Sequence, residues 1–422
     1  MNSILLIRQR FLSSISVSKV YSLVAIVLLF LAFYGLIFLP IKATQWDYIL
    51  FVLLLVVVVV KINYKSIYSK IILTYVLFVF LSCLYSWEFN DQGLVNVVSH
   101  SYKYFALIFF FYLFSSRLSY REVEKALFVL CIICCVCYLI QWLIFPTILF
   151  YGAEDEAKAS IEKYRVRIPG SLCCYCLFFY GINQFLLSKD WKSFGYSILG
   201  FMPILIMGFR SLTALALIGA FFMVPFVKKG GVKTILYCSL GTILVVLFMQ
   251  TDLVKSKYAE MDLRTQGGQV FSNEDYIRWR ELDFYWNDYF VKPGEKIIGG
   301  GVPCDPSSQY RKNIYSYNFT YTDIGLVGLG MVIGAPAVLI LVLLYLICIY
   351  KFKEKKYQYL RFTLAVILLG SIFTTSELYR DGNILLFSLI LYINYRCHRK
   401  SKISEQLLML KYRETYENSN FS

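Results

Sequence analysis

The sequence predicts an all-α polytopic membrane protein with about twelve transmembrane helices. Of its 422 residues, 58% are hydrophobic and only 16% are charged. The apolar residues also fall in long runs, such as residues 48–60 and 335–350. About 20 apolar residues cross the hydrocarbon core of a bilayer, whereas a soluble domain would need a polar face. No cleaved signal peptide is expected, because the first apolar run begins near Val20 and is too long.

The predicted spans follow from these runs. In chain order they lie near residues 21–40, 47–62, 68–87, 101–116, 124–145, 171–188, 193–209, 211–227, 233–250, 323–350, 360–375 and 382–396. Residues 1–422 then form a single integral membrane domain, with one polar loop over residues 146–170 and a larger one, 251–322, between the ninth and tenth spans.

The distribution of lysine and arginine predicts the orientation, because cytoplasmic loops carry the excess of these residues. Clusters such as Lys61 with Lys65, and the basic stretch 351–361, fall in alternate loops. This pattern places both termini in the cytoplasm and makes residues 397–422 a cytoplasmic tail. The formal charge of +15 is therefore attributed to the basic residues that set the orientation in the membrane, and no nucleic-acid partner is expected.

Arginine is unusually frequent on the predicted outer face, and Arg210 lies there, at the junction of two spans. A planar, permanently charged guanidinium suits bidentate recognition of phosphate. The plainer alternative for Arg210 is a side chain that snorkels to the interface from a helix end. Aromatic residues accompany these arginines, which suits sugar stacking but is also typical of the interfacial belt.

Metal and nucleotide chemistry find little support in the sequence. The twelve cysteines fall mainly in apolar runs and are interpreted as small packing residues, and the two histidines lie on opposite predicted sides. The glycine-rich stretch IIGGGVP lacks the Lys-Ser/Thr of a nucleotide-binding loop, so it is interpreted as a site of close backbone packing. Asp323 stands where the large loop enters an apolar run and is predicted to cap that helix.

Four short motifs follow one another along the chain. The first is RIPG, which begins at Arg167, and the second is FRSLTAL, which contains Arg210. In the third, an Arg-Trp pair at Arg278 precedes a proline and three glycines; in the fourth, NFTYTDIGLVG carries Asp323 ahead of two glycines. Over roughly residues 165–330, the motifs in this order resemble those of the bacterial O-antigen polymerase and O-antigen ligase superfamily.

This resemblance implies a polytopic, GT-C-like glycosyltransferase of lipopolysaccharide biosynthesis in the bacterial inner membrane. It implies that undecaprenyl-diphosphate-linked glycans are both donor and acceptor, that no metal or other cofactor is needed, and that a chain-length regulator protein is a partner.

One departure from the family pattern bears on whether the sequence resembles the polymerases or the ligases of this superfamily. Where ligases carry a histidine, this sequence has Asn318, or Tyr317 if the register slips by one. The resemblance therefore favours a polymerase that joins repeat units over a ligase that transfers the polymer to lipid A-core. A flippase or transporter of lipid-linked oligosaccharides is a further alternative, although no internal repeat is visible and the charges gather outside the spans.

The resemblance also implies roles for individual residues. Arg210 and Arg278 would stabilise the charge of the leaving diphosphate, and Asp323, or next Glu377, would be the general base. The expected substrate-binding residues are Arg165, Arg167, Arg280, Arg311, Tyr317, Asn318 and Arg380.

Overall fold

The structure of the chain is a computed structural model. It describes residues 66–116, 118–144, 147–150, 170–208, 210–228, 277–289, 292–305, 321–373 and 382–398, together with residues 23, 24, 26–28, 30, 31, 36, 168, 308, 377 and 378. The predicted spans 47–62 and 233–250, most of the span 21–40, most of both polar loops and most of the cytoplasmic tail lie outside the described residues.

The described residues form an all-helical structure. The first helices in chain order are α1 (Ile67–Phe89), α2 (Leu94–His100), α3 (Tyr102–Phe105), a 3-10 turn (Ala106–Ile108), α4 (Phe109–Ser115), α5 (Tyr120–Leu143), α6 (Ser171–Ser188), α7 (Trp191–Met207) and α8 (Arg210–Val227). They are followed by α9 (Ile277–Asp283), a π-helix (Phe284–Tyr289), α10 (Pro293–Ile298), a 3-10 turn (Tyr321–Ile324), α11 (Gly325–Ile333), α12 (Ala335–Lys351), a 3-10 turn (Lys355–Tyr357), α13 (Gln358–Phe373) and α14 (383–398).

Three of the described helices, α1, α5 and α6, are long and apolar enough to cross a membrane. A fourth span is counted if α2 and residues 102–114, which meet at an angle of 58°, are taken as one bent span. The helices Trp191–Met207, Ser211–Val227 and Ala335–Lys351 are apolar but shorter. The described part of the chain therefore has the character of a helical membrane protein, whereas the full set of twelve spans stays a prediction.

The prediction of a single span over residues 323–350 is wrong, because the structure has two helices there instead of one. α11 ends at Ile333 and α12 begins at Ala335, and Gly334 between them has a φ of 87°. A Cβ on Gly334 would overlap the carbonyl oxygen of Ile298, so the chain from the large loop lies directly against this break. A run of apolar letters cannot reveal such a break, because it is made by a contact from a distant segment.

Glycine sets the distance between α6 and α7, which make the most extensive helix pair described. A Cβ on Gly181 of α6 would lie 2.7 Å from the carbonyl oxygen of Ser193, and one on Gly200 of α7 would lie 2.9 Å from that of Cys174. Each helix thus presents its bare backbone to the other, the arrangement by which small residues bring apolar helices close in membranes.

One end of the helices, called here the Glu124 end, is closed by an ion pair. Lys356 Nζ donates to Glu124 Oε2 at 2.8 Å, and the Tyr359 hydroxyl donates to Glu124 Oε1 at 3.3 Å. Asn183 Nδ2 donates to the Lys356 carbonyl oxygen at 2.8 Å. These contacts join α5, α6 and the start of α13 beside loops whose lysines predict the cytoplasmic side.

Candidate functional site

A buried polar cluster lies at the opposite end of the helices, called here the Glu377 end. Glu377 is 1% exposed, and its Oε2 accepts a hydrogen bond from the Ser171 hydroxyl. Asn383 Nδ2 donates to the Glu377 carbonyl oxygen at 2.7 Å and to Ser171 Oγ at 3.2 Å. The backbone N–H of Leu172 donates to Asn383 Oδ1 at 3.4 Å. Three side chains from two distant parts of the chain therefore share one network.

Two helix starts create this cluster. Ser171 is the first residue of α6 and Asn383 the first of α14. Each directly follows a glycine with positive φ, Gly170 at 106° and Gly382 at 80°, so each helix begins with an abrupt change of direction. The unpaired N–H groups of a helix start favour a nearby negative charge. The Glu377 carboxylate therefore lies where two helix dipoles and two side-chain donors stabilise it.

The fourth motif meets the same end of the molecule. Gly325, the first residue of α11, has a φ of 60°, and a Cβ there would lie 2.5 Å from the Ser371 carbonyl oxygen. Ser371 Oγ in turn accepts the backbone N–H of Leu378 at 3.1 Å. The 3-10 turn Tyr321–Ile324, which contains Asp323, is thereby held beside the chain that leads into Glu377.

The described start of α11 lies just past the predicted cap. Ile324 is the N-cap residue and makes no side-chain cap hydrogen bond. The side chain of Asp323 lies outside the description, so its capping role stays a prediction. The close approach of Gly325 to α13 inserts a 3-10 turn ahead of the helix and moves its start past the acid.

The second motif also reaches the Glu377 end. α7 ends at Met207, Gly208 has a φ of 71°, and α8 begins at Arg210, so the predicted junction between two helices is present. Leu212, one half-turn into α8, packs directly on Gly370 of α13, next to Ser371. The start of the arginine-bearing helix therefore lies level with the residues that lead to the polar cluster.

The third motif is connected to the fourth through a small hydrophobic cluster. Tyr285, Ile324 and Met331 are buried against one another, with Leu282 and Phe284 packed around them. α9, which contains Arg278, continues into a π-helix instead of ending, and this turn brings Tyr285 inward. π-helical turns occur frequently at functional sites. The backbone segments of Arg278 and Asp323 are thus neighbours.

For Arg210, Arg278 and Asp323 the structure describes the helices and turns that hold them, and their side chains lie outside the description. Arg280 is described and is exposed to solvent on α9. The meeting of the guanidinium groups around one substrate therefore stays a prediction. The remaining predicted site residues lie outside the described residues: Arg165, Arg167, Arg311, Tyr317, Asn318 and Arg380.

Ser171 and Asn383 were missed by sequence reasoning, although a signal existed. Each is a polar residue that follows a glycine and opens an apolar run, in PGS and DGN respectively. A polar residue at such a position is well placed to face the end of a helix bundle. The sequence does not show, however, that the two runs begin side by side.

Cysteines form a second buried cluster, between α5 and α6. They are free thiols, and Cys134 Sγ lies 3.6 Å from the Gly170 carbonyl oxygen. The cluster comprises Cys131, Cys134, Cys135, Cys173, Cys174 and Cys176. Among the described residues, no group of three or more His, Cys, Asp or Glu side chains has a geometry that could hold a metal ion. The six thiols are buried between two apolar helices, where they pack as small side chains.

The fold and the cluster together define a helical membrane protein with a polar site at one end of its helices. Comparison of the sequence with known protein families finds no match, and comparison with curated proteins finds no significant similarity. The functional interpretation therefore depends on the four motifs and on where their backbone segments lie.

Proposed function

We propose that the protein is a polysaccharide polymerase of the O-antigen polymerase type. It would join undecaprenyl-diphosphate-linked oligosaccharide repeat units at the periplasmic face of the inner membrane. Undecaprenyl diphosphate would be released in each cycle.

The observation that supports this proposal is the meeting of motif-bearing segments at the Glu377 end. Gly170 ends the first motif, and Ser171, which follows it directly, contacts Glu377 and Asn383. Arg210 opens a helix that packs on α13 beside Ser371, and Gly325 of the fourth motif packs on Ser371 itself. Segments more than 100 residues apart in sequence thus adjoin one site, as a convergent anion-binding site requires.

In the proposed reaction, a sugar hydroxyl of the acceptor attacks the anomeric carbon of the donor glycan. A new glycosidic C–O bond forms as the bond between that carbon and the diphosphate oxygen breaks, and the electron pair stays on the diphosphate. Arg210 and Arg278 would stabilise this growing negative charge more strongly in the transition state than in the ground state. The hydroxyl proton passes to a general base.

Asp323 is the better candidate for that base. Glu377 is 1% exposed and its Oε2 already accepts the Ser171 hydroxyl, so its carboxylate is engaged in holding two helix starts together. Asp323 belongs to a short turn beside these helices, directly ahead of α11. We therefore assign Glu377 a positioning role and Asp323 the proton transfer.

The test uses the purified full-length protein in lipid nanodiscs with radiolabelled lipid-linked repeat units. The wild type is expected to produce a ladder of longer lipid-linked glycans. Arg210→Ala and Arg278→Ala are each expected to lower the rate by about 10²–10³-fold, as loss of a charge-stabilising donor does. Lysine at either position is expected to restore only part of the rate, because it lacks the bidentate fork.

Arg121→Ala is the matched control, because Arg121 is a solvent-exposed arginine near the Glu124 end. It should leave the ladder unchanged. Full ladders from both Ala variants at the site would refute the proposed roles of the arginines. A wild type that makes no polymer but transfers a finished polymer to lipid A-core would be a ligase, and one that only moves lipid-linked units across the bilayer would be a flippase.

A further inference from the structure

The glycine-rich part of the large loop, residues 299–301, packs against the sides of α1 and α11 instead of lying beyond their ends. Gly301 donates its N–H to the Val332 carbonyl oxygen at 3.0 Å, and that same oxygen accepts the Ser82 hydroxyl of α1. A Cβ on Gly301, which has a φ of 75°, would lie 2.5 Å from Ser86 Cβ. The loop backbone therefore contacts α1 at the level of Ser82 to Ser86.

The charges of α1 give the depth of this contact. α1 is apolar enough to cross a membrane, and no charged residue lies between Lys70 and Glu88. Ser82 and Ser86 precede Glu88 by six and two residues. At 1.5 Å per residue, the glycines lie about 3–9 Å below Glu88 along the helix. This depth falls within the part of α1 that the bilayer must cover.

Irregular backbone survives at such a depth only if the protein satisfies its polar groups, and several groups of this segment are paired. Gly300 donates to the Met331 carbonyl oxygen at 2.7 Å, and its own carbonyl oxygen accepts Asn90 Nδ2 at 3.0 Å. Gly299 donates to the Glu295 carbonyl oxygen at 2.8 Å. On the far side, Cys304 donates its N–H to Gln92 Oε1 at 2.9 Å.

The outer surface of this segment is apolar, with lysines along one edge. Ile297 is 58% and Ile298 36% exposed, although both follow the buried Glu295 in a six-residue helix. Lys292 Nζ lies 5.7 Å from the ring centre of Phe89, and Lys296 Nζ lies 4.6 Å from that of Trp286. Lysine and aromatic side chains in this arrangement are typical of a membrane interface.

This surface continues the exposed face of α1. Leu77, Phe80 and Leu81 are 38–54% exposed along the helix, and Phe89 at its end is 53% exposed. Gly294 of α10 packs on the ring of Tyr85, which itself stacks near Phe89 at a centroid distance of 4.6 Å. A bilayer that covers α1 must therefore also reach the helix that packs on its last turns.

We propose that residues 293–304 are a re-entrant segment that inserts into the membrane leaflet on the Glu88 side. Ile297 and Ile298 contact lipid acyl chains, and Lys292 and Lys296 face the headgroup phosphates. The lipid is the occupant, because the exposed surface is continuous with a helix that crosses the membrane. This inference does not depend on the proposed glycosyl transfer.

The test measures tryptophan quenching by brominated phospholipids in nanodiscs that hold one full-length protein each. Ile297→Trp adds one fluorophore, whose emission is the difference from wild type. Its quenching by lipids brominated near the headgroup should reach at least about half that of Leu343→Trp, an exposed position within the apolar helix α12. Lys355→Trp, in the exposed loop at the Glu124 end, should be quenched far less.

Quenching of Ile297→Trp by aqueous iodide, with lipid quenching no greater than that of Lys355→Trp, would overturn the proposal and place the segment in water. Protection from both quenchers would also overturn it, because the segment would then be covered by protein. Subtracting the emission of Trp286→Phe from that of wild type gives the emission of Trp286 alone, and the same quenching is expected there. This second measurement checks the result without adding a bulky side chain.

Discussion

The network of Ser171, Glu377 and Asn383 allows a prediction whose size can be worked out from its contacts. Ser171→Ala removes the hydroxyl that donates to a carboxylate with 1% exposure. A buried hydrogen bond to a charged group contributes about 1.5–3 kcal/mol, so we expect a loss of about 2 kcal/mol in the free energy of unfolding. Glu377→Gln keeps the shape and one acceptor and should cost about 1 kcal/mol.

The two substitutions share a bond, so their effects should not add. We expect the double variant to lose about 2 kcal/mol instead of about 3, which is a coupling of about 1 kcal/mol. The assay is reversible unfolding in mixed micelles, followed by tryptophan fluorescence as the denaturing detergent increases.

Ser388→Ala is the matched control for this cycle. Ser388 is also fully buried, but its hydroxyl donates locally to the Leu385 carbonyl oxygen on the same helix, at 2.5 Å. Its cost should add to that of Glu377→Gln within about 0.5 kcal/mol. If Ser171→Ala adds to Glu377→Gln just as fully, the carboxylate does not hold the start of α6, and the positioning role of Glu377 fails.

Three further predictions concern other parts of the molecule. Gly181→Ala should destabilise the protein by about 2 kcal/mol because its methyl group overlaps the backbone of α7, whereas Gly195→Ala, with no atom within 4 Å, should be neutral or slightly stabilising in the same unfolding assay. Gln92→Ala removes the acceptor of the Cys304 N–H, so the rate at which a membrane-impermeant maleimide labels the Cys304 thiol, which is 7% exposed, should rise about tenfold. An unchanged rate would show that Gln92 does not hold residues 293–304 in place. Burial raises the pKa of the Cys397 thiol to about 11, so its alkylation at pH 8 should be about 100-fold slower than that of a thiol with a pKa of 9. The alkylation rate, followed by peptide mass spectrometry, should rise until about pH 11. A rate that levels off near pH 9 would contradict this.

Helices and their approximate positions were predictable because they depend on local composition. Runs of apolar residues predicted α1, α5 and α6 within a few residues, since burying a helix in lipid needs only length and hydrophobicity. The start of α5 at Tyr120 was predicted four residues too late, and its signal, the reciprocal capping box of Ser119 and Glu122, was missed. The break at Gly334 was not readable, because it depends on the carbonyl oxygen of Ile298, a residue on another segment.

The candidate site was predictable only in part. The sequence placed Arg210 at a helix junction and named Glu377 as a candidate general base, since charges interrupting apolar runs are conspicuous. It did not identify Ser171 or Asn383, whose roles arise only because two helices begin side by side. The close packing of Gly325 on α13, which goes with a 3-10 turn ahead of α11, was not readable either, because it depends on a contact with a distant helix.

The sequence by itself determined that this chain has the character of a membrane protein and where α1, α5 and α6 lie, because hydrophobicity and helix formation act over neighbouring residues. Only the tertiary structure decided that Glu377 joins the starts of α6 and α14, and that a glycine-rich loop packs about 3–9 Å below the end of α1. These features depend on contacts between residues as far as 250 positions apart, which no local pattern encodes.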